Sequence, residues 1–207
     1  MKTQAMDKAK TAANDCLYPF KTLLVEQGYP SYRHFQVMQG SDSTGSGVKA
    51  RIAFDGRMRI AQVSGYAVSE RRPHTLQLSP RIHLYDCWFC GLLRHSCNPN
   101  VFFDTTYLEL WTVQPIGAGT PLTLDYASTE DALFRQFKCQ CGELNCRGWI
   151  TGRDEPLNAE GQQFMVQWRE RKRPKASPKG RRRYCGGSCS KPLMVVFRLF
   201  QRPSLMP

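Results

Sequence analysis

RHSCNPN, residues 94–100, sets a histidine, a serine and a cysteine side by side and then turns through Asn98, Pro99 and Asn100. Three readings compete: a nucleophile, a metal corner, or a plain loop. A cysteine nucleophile needs a base and an oxyanion hole, and no motif such as G-x-S-x-G supplies them. The metal reading draws on CQCGELNC (139–146), which offers Cys139, Cys141 and Cys146 as C-x-C-x4-C, with Gly142 letting the backbone fold back. Three thiolates are one short of a closed tetrahedral zinc site, whose Zn–S bonds are about 2.3 Å long. Cys97, lodged in a turn fixed by Pro99, is the candidate fourth.

The totals favour that reading. Nine cysteines is an odd count, and their tight spacings suit metal ligation in a reducing compartment better than a disulfide framework. A chain of 207 residues can bury one substantial core and carry a tail. No basic-then-apolar leader is visible, and no run approaches the roughly 18–20 apolar residues that span a bilayer, so a soluble, intracellular protein with no membrane partner is expected. The net charge of +12 is uneven: residues 153–207 hold 13 Lys/Arg against 4 Asp/Glu, residues 1–152 hold 16 against 13. Between His95 and Cys146 the sign reverses, with Asp104, Glu109, Asp125, Glu130, Asp131 and Glu143 against Arg135 and Lys138. An acidic segment suits a cationic peptide, and a basic tail suits an anionic partner.

Along the chain, residues 1–38 form a mixed lead-in, partly helical in period but interrupted by Pro19 and closed by Gly28 and Pro30. QGSDSTGSG (39–47) then opens into β-like runs: VKARIAF (48–54), MRIAQV (58–63), HTLQL (74–78), VFF (101–103) and TYLELWTV (106–113). A helical turn or two is expected in DCWFCGLL behind Asp86, and a short helix in TEDALFRQF (129–137) capped by Ser128. LNAEGQQFMVQWRERKR (157–173) predicts a helix capped by Asn158. It runs into RKRPKASPKGRRR (171–183), a flexible basic linker with eight Lys/Arg in thirteen residues. The fold class is therefore mainly β with short helices (α+β).

Taken in order, GSGVKA (45–50), RHSCNPN (94–100), PLTLDY (121–126) and CQCGELNCRGW (139–149) resemble the motif series of SET-domain protein lysine methyltransferases with a post-SET zinc segment, over about residues 40 to 152. The resemblance implies a SET-type β fold of several short curled sheets, with a lead-in at 1–38, a SET domain at 39–135, a zinc-bound post-SET segment at 136–152, and a basic helix and tail at 153–207. It implies S-adenosylmethionine-dependent methyl transfer to a lysine side chain of a histone or other basic protein. Cys97 would join Cys139, Cys141 and Cys146 on a structural zinc, four thiolates leaving no open position. Cofactor binding would fall to Gly45, Gly47, Val48, Arg94, His95 and Trp149, with His95 facing the cofactor rather than the metal. Glycine at 45 and 47 would let the backbone approach the cofactor, although a plain flexible turn is the other reading of that run. Tyr126 would orient the amine or polarise the methyl. Phe103 and Trp111, with Phe102, would line the lysine channel, core packing being the other reading of the two phenylalanines.

This chain departs from the family at Arg94, where Asn is usual, and at Pro121, where Glu is usual. Asn donates and accepts at once, whereas Arg only donates and is always charged. Beside the sulfonium or amino group that charge repels; aimed at the cofactor carboxylate it binds. The alternative reading is therefore a catalytically inactive SET-like module that binds peptide, chromatin or nucleic acid. Cys87 and Cys90 could join Cys185 and Cys189 in a second zinc site, CWFC could serve redox chemistry, and Cys16 stands alone. The 171–183 run could contact nucleic acid, act as an import signal, or be a solvated tail.

Overall fold

The chain alternates branched and aromatic residues with polar ones between Gly, Pro, Asp and Asn, and it folds there into short strands. In the computed structural model the described residues are 15–40 and 45–172. The start of the lead-in, most of the basic run, Cys185, Cys189 and the apolar stretch PLMVVFRLF (192–200) lie outside them. The strands are β1 (Phe35–Met38), β2 (Gly47–Ala50), β3 (Arg59–Gln62), β4 (Tyr66–Val68), β5 (Thr75–Ser79), β6 (Ile82–Tyr85), β7 (Arg94–His95), β8 (Val101–Asp104), β9 (Glu109–Thr112), β10 (Thr123–Leu124), β11 (Phe137–Lys138) and β12 (Trp149–Ile150); one α-helix, α1 (Ala159–Lys172), follows. β1 and β2 form an antiparallel ribbon, β3-β9-β8 and β4-β6-β5 form two three-stranded antiparallel sheets, β11 pairs antiparallel with β12, and β7 pairs parallel with β10. This is the mainly β fold of small curled sheets that the sequence predicts.

Strand alternation decides which side chains reach the core. On β8 and β9, Val101, Phe103 and Leu110 are buried while Phe102 is 47% exposed. Phe103 is thus packed in the core. Trp111 pairs across strands with Phe102 on the opposite face and donates its indole N–H to Glu109 Oε2 at 3.0 Å. Neither Phe103 nor Trp111 lines the cleft beside Tyr126. Elsewhere the core stacks Phe35 between Phe54 and Phe89, with ring centroids 5.4 and 4.9 Å apart.

The DCWFCGLL segment makes a single 3-10 turn, Cys90–Leu92. The buried Asp86 carboxylate holds its entry, accepting from the backbone N–H of Trp88, Phe89 and Cys90 and from the Tyr18 hydroxyl at 2.9 Å. Burial raises the Cys90 thiol well above its ordinary pKa, which is the environment of an unreactive thiol and not of a redox one. TEDALFRQF forms no helix. Its backbone is taken up sideways: Arg153 N donates to Glu130 O and Asp154 N to Asp131 O, while Gln77 N donates to the Glu130 carboxylate at 2.7 Å. A 3-10 turn, Tyr126–Ser128, comes just before it, capped by Asp125. α1 begins as predicted, Asn158 Oδ1 accepting from Gly161 N at 2.7 Å.

Candidate functional site

The site is built on the seam between β7 and β10. Arg94 lies opposite Thr123 and His95 opposite Leu124, and the pairing continues as Ser96 N donates to Leu124 O at 3.1 Å. The NPN turn is held by Asn100, whose Nδ2 donates to Pro121 O at 2.8 Å and whose Oδ1 accepts from Thr123 N at 2.8 Å. RHSCNPN is therefore locked to PLTLDY, which brings Cys97 and Tyr126 to the same end.

The β11–β12 pair delivers the remaining sulfurs. The Sγ atoms of Cys97, Cys139, Cys141 and Cys146 all lie within 4.8 Å of one another. Tetrahedral zinc with bonds of about 2.3 Å would hold its sulfurs about 3.8 Å apart. Cys97 and Cys139 are already at 3.8 Å, so the donor set fits that ion. Arg147 N and Gly148 N donate to the Cys97 and Cys146 sulfurs at 3.3 and 3.4 Å, the partners a thiolate takes. Burial pushes the Cys139 and Cys146 thiols up, whereas at Cys141 backbone hydrogen bonds from Cys97 and Glu143 and the neighbouring thiols outweigh burial and bring it down to about 7.

His95 is turned toward this cluster, contrary to the expectation that it faces the cofactor only. Its Nε2 lies 3.4 Å from Cys97 Sγ, and its Nδ1 accepts from Tyr126 N at 3.3 Å. Burial, with Arg147 adding to it against the pull of Asp125, holds the imidazole down at about 4, so it is neutral at physiological pH. Tyr126 donates its hydroxyl to Leu93 O at 2.8 Å. Burial raises its pKa to about 12, only partly offset by the Arg94 charge, which keeps the phenol protonated.

Arg94 lies across the glycine opening. Nη2 donates to Gly45 O at 2.9 Å and Nε to Ser46 O at 3.3 Å. A Cβ on residue 47 would meet Arg94 Nε at 2.9 Å and Met38 Cε at 3.0 Å, so any larger residue there would have to displace the Arg94 side chain. Gly45, Arg94, His95 and Tyr126 all line one open cleft of about 1050 Å³ beside the thiol cluster. Its walls carry Arg71, Arg72 and Arg135 as well as Arg94, against Glu130 and Glu143. The acidic excess of residues 95–146 is therefore not expressed in the cleft, because Asp125 is paired with Arg147, Asp131 with Arg153, and Asp104 and Glu109 sit on the β8–β9 sheet.

Three expected cofactor residues do not line the cleft, Gly47 among them, lying against the Arg94 side chain. Val48 is fully buried in the core. Trp149 faces away from the cleft because β11 and β12 alternate: Phe137 and Ile150 pack with Tyr126 and Cys97, which leaves Lys138 and Trp149 on the other side. There Trp149 stacks on Phe164 of α1 at 5.5 Å and donates to Gln136 Oε1 at 3.1 Å, with Gly161 giving it room. On the β11–β12 pair it is Phe137 that reaches the cleft, 5.9 Å from the His95 ring and 6.0 Å from that of Tyr126, with Phe134 lining it nearby. The position of Phe137 two residues before the first cysteine of C-x-C was the available signal. Asp125, Arg147 and Glu130 were also missed in these roles, since each depends on partners distant in the chain.

No protein-family model matches the chain. Among curated proteins it is similar to the methyltransferase flvH of Aspergillus flavus, 27% identical over 123 residues, 56% of this chain and 67% of that one. It is also similar to the histone-lysine N-methyltransferase ASHR3 of Arabidopsis thaliana, 38% identical over 71 residues, 31% of this chain and 14% of that one. The chain thus spans two thirds of the fungal relative and a small part of the plant one. The methyltransferase domain of human histone-lysine N-methyltransferase SETMAR is 16% identical, with a TM-score of 0.45 over 57% of this chain and 58% of that one. Among the described residues, no helix is long and apolar enough to cross a membrane.

Proposed function

We propose that the chain is a SET-domain protein lysine methyltransferase, a reading supported by its similarity to histone-lysine N-methyltransferases, and that it transfers a methyl group from S-adenosylmethionine to a lysine side chain of a histone or another basic protein. The observation that carries this reading is the meeting of Gly45, Arg94, His95 and Tyr126 in one cleft beside four clustered thiols. A cleft of about 1050 Å³ has room for a nucleoside-sized cofactor and a lysine chain. S-adenosylmethionine supplies an activated methyl on a sulfonium; the protein's task is to present a neutral amine in line with it. A free lysine has a pKa of about 10.4, so neutralising it at pH 7 costs about 4–5 kcal/mol. The apolar wall of Leu92, Leu93, Leu124, Leu133 and Phe137 lowers that cost by disfavouring the ammonium.

Tyr126 is the residue we assign to orienting the amine. Its hydroxyl hydrogen is committed to Leu93 O, which leaves the oxygen as an acceptor, and its raised pKa rules it out as a resting base. Phe137 takes the aromatic role first given to Trp149, and Arg94 serves the anionic end of the cofactor. The cysteine site is structural, pinning residues 136–152 to the 94–100 turn and supporting the division of the chain at 39–135, 136–152 and 153–207. A nuclear location and contact with nucleic acid through 171–183 fit this reading and the histone-lysine relatives.

Calorimetry with S-adenosylmethionine on zinc-loaded protein, followed by methyl labelling of a basic protein, tests it. Wild type should bind and label, and Tyr126→Phe should bind but lose label by about 100-fold or more, as when a positioned polar group is removed. Binding by Arg94→Asn alone would instead identify an inactive module that Arg94 closes to the cofactor.

A further inference from the structure

We infer that His95 is a positioning residue that ties the four-thiolate site to Tyr126, so that metal occupancy and the placement of the reacting tyrosine are one property. The inference goes deeper into the proposed methyl-transfer site and rests on that reading for its catalytic meaning alone.

Tyr126 is the first residue of its 3-10 turn, where a backbone N–H has no acceptor within the turn. His95 Nδ1 supplies that acceptor at 3.3 Å. A backbone N–H can only donate, so Nδ1 carries no proton and the ring hydrogen sits on Nε2. That atom is 3.4 Å from Cys97 Sγ, within range to donate to the sulfur. One neutral imidazole therefore spans from a metal ligand to the tyrosine backbone, its ring packed edge-on to Tyr126 and Phe137. Hydrogen bonds of this outer kind orient a metal ligand and tune its basicity. A second brace runs alongside: Arg147 N donates to Cys97 Sγ, its guanidinium pairs with Asp125, and Asp125 Oδ1 accepts from Ala127 N at 3.1 Å. The second brace holds the turn as a whole, while His95 alone reaches the Tyr126 N–H.

Carboxamides separate the two bonds. The amide of His95→Asn sits where Nδ1 does, and that of His95→Gln where Nε2 does. On the full chain, zinc affinity is read by competition with a chelating indicator, and the Tyr126 N–H by amide hydrogen exchange. His95→Asn should lose about 10- to 100-fold in zinc affinity while keeping the Tyr126 amide protected. His95→Gln should hold zinc near the wild-type affinity but expose that amide and lower kcat without changing cofactor affinity. Equal losses in both variants, or in neither, overturn the tie. Nitrogen NMR of the wild-type ring needs no variant: a neutral ring protonated on Nε2 is expected, and a proton on Nδ1 refutes the proposal. None of these readouts except kcat requires turnover. A split between the variants in an inactive wild type would leave the tie standing and remove only the enzyme reading.

Discussion

Trp149 and Phe137 sit on opposite faces of the β11–β12 pair, and exchanging their expected roles makes a sharp test. Trp149 is 6% exposed against α1, so Trp149→Ala removes a large buried ring, a change worth about 3–5 kcal/mol. Gln136 Oε1 still accepts from Asn158 N at 3.0 Å, so no polar atom is orphaned and the cost is packing alone. At about 2–4 °C per kcal/mol for a domain of this size, the melting temperature should fall by about 6–20 °C. Phe137→Ala removes an aromatic face from the cleft. If a nucleobase stacks there, about 1–3 kcal/mol is lost, equivalent to about five- to 150-fold in cofactor affinity. Thermal melts, with calorimetry below both melting points, separate the two. Trp149→Ala should bind S-adenosylmethionine as wild type does, and Phe137→Ala should not. A large affinity loss in Trp149→Ala with none in Phe137→Ala would refute the assignment of faces.

Stripping the metal with a chelator should abolish methyl transfer and change Trp149 fluorescence as the β11–β12 pair loosens, with one zinc per chain restoring both; full activity with no bound metal would sink the structural role of the cysteines. In alkali, the Tyr126 phenol should titrate near pH 12 by absorbance against Tyr126→Phe. Because its folded pKa lies above the ordinary value of about 10, its stabilisation is complete below pH 10 and is lost as the pH rises toward 12. A phenol titrating near pH 10 would show that Tyr126 is not buried against Leu93.

The thiol set was legible in the one-dimensional text because metal chemistry demands given residue types at given spacings, whereas Tyr126 was singled out by the family resemblance. The Asn158 cap, like the thiols, was legible for a local reason. The TEDALFRQF segment was misread because its Glu130 and Asp131 carbonyls are claimed by residues 153 and 154 and its Glu130 carboxylate by Gln77, none of which helical propensity can weigh. The acidic count of residues 95–146 misled for a related reason: charge in the sequence carries no direction, and Asp125 and Asp131 are neutralised by Arg147 and Arg153.

By itself the sequence determined a β-rich chain and a four-cysteine set drawn from two motifs, and only the resemblance to a known family singled out the tyrosine that ends a third. The first two follow from spacing and from alternation with period two, both properties of neighbouring residues. Only the tertiary structure decided that Phe137 and not Trp149 faces the cleft, that Arg94 spans the glycine opening, and that His95 answers to both a cysteine and a tyrosine. Each of those depends on which face of a short strand meets which neighbour, and in so small a sheet that is settled by contacts between residues far apart in the chain.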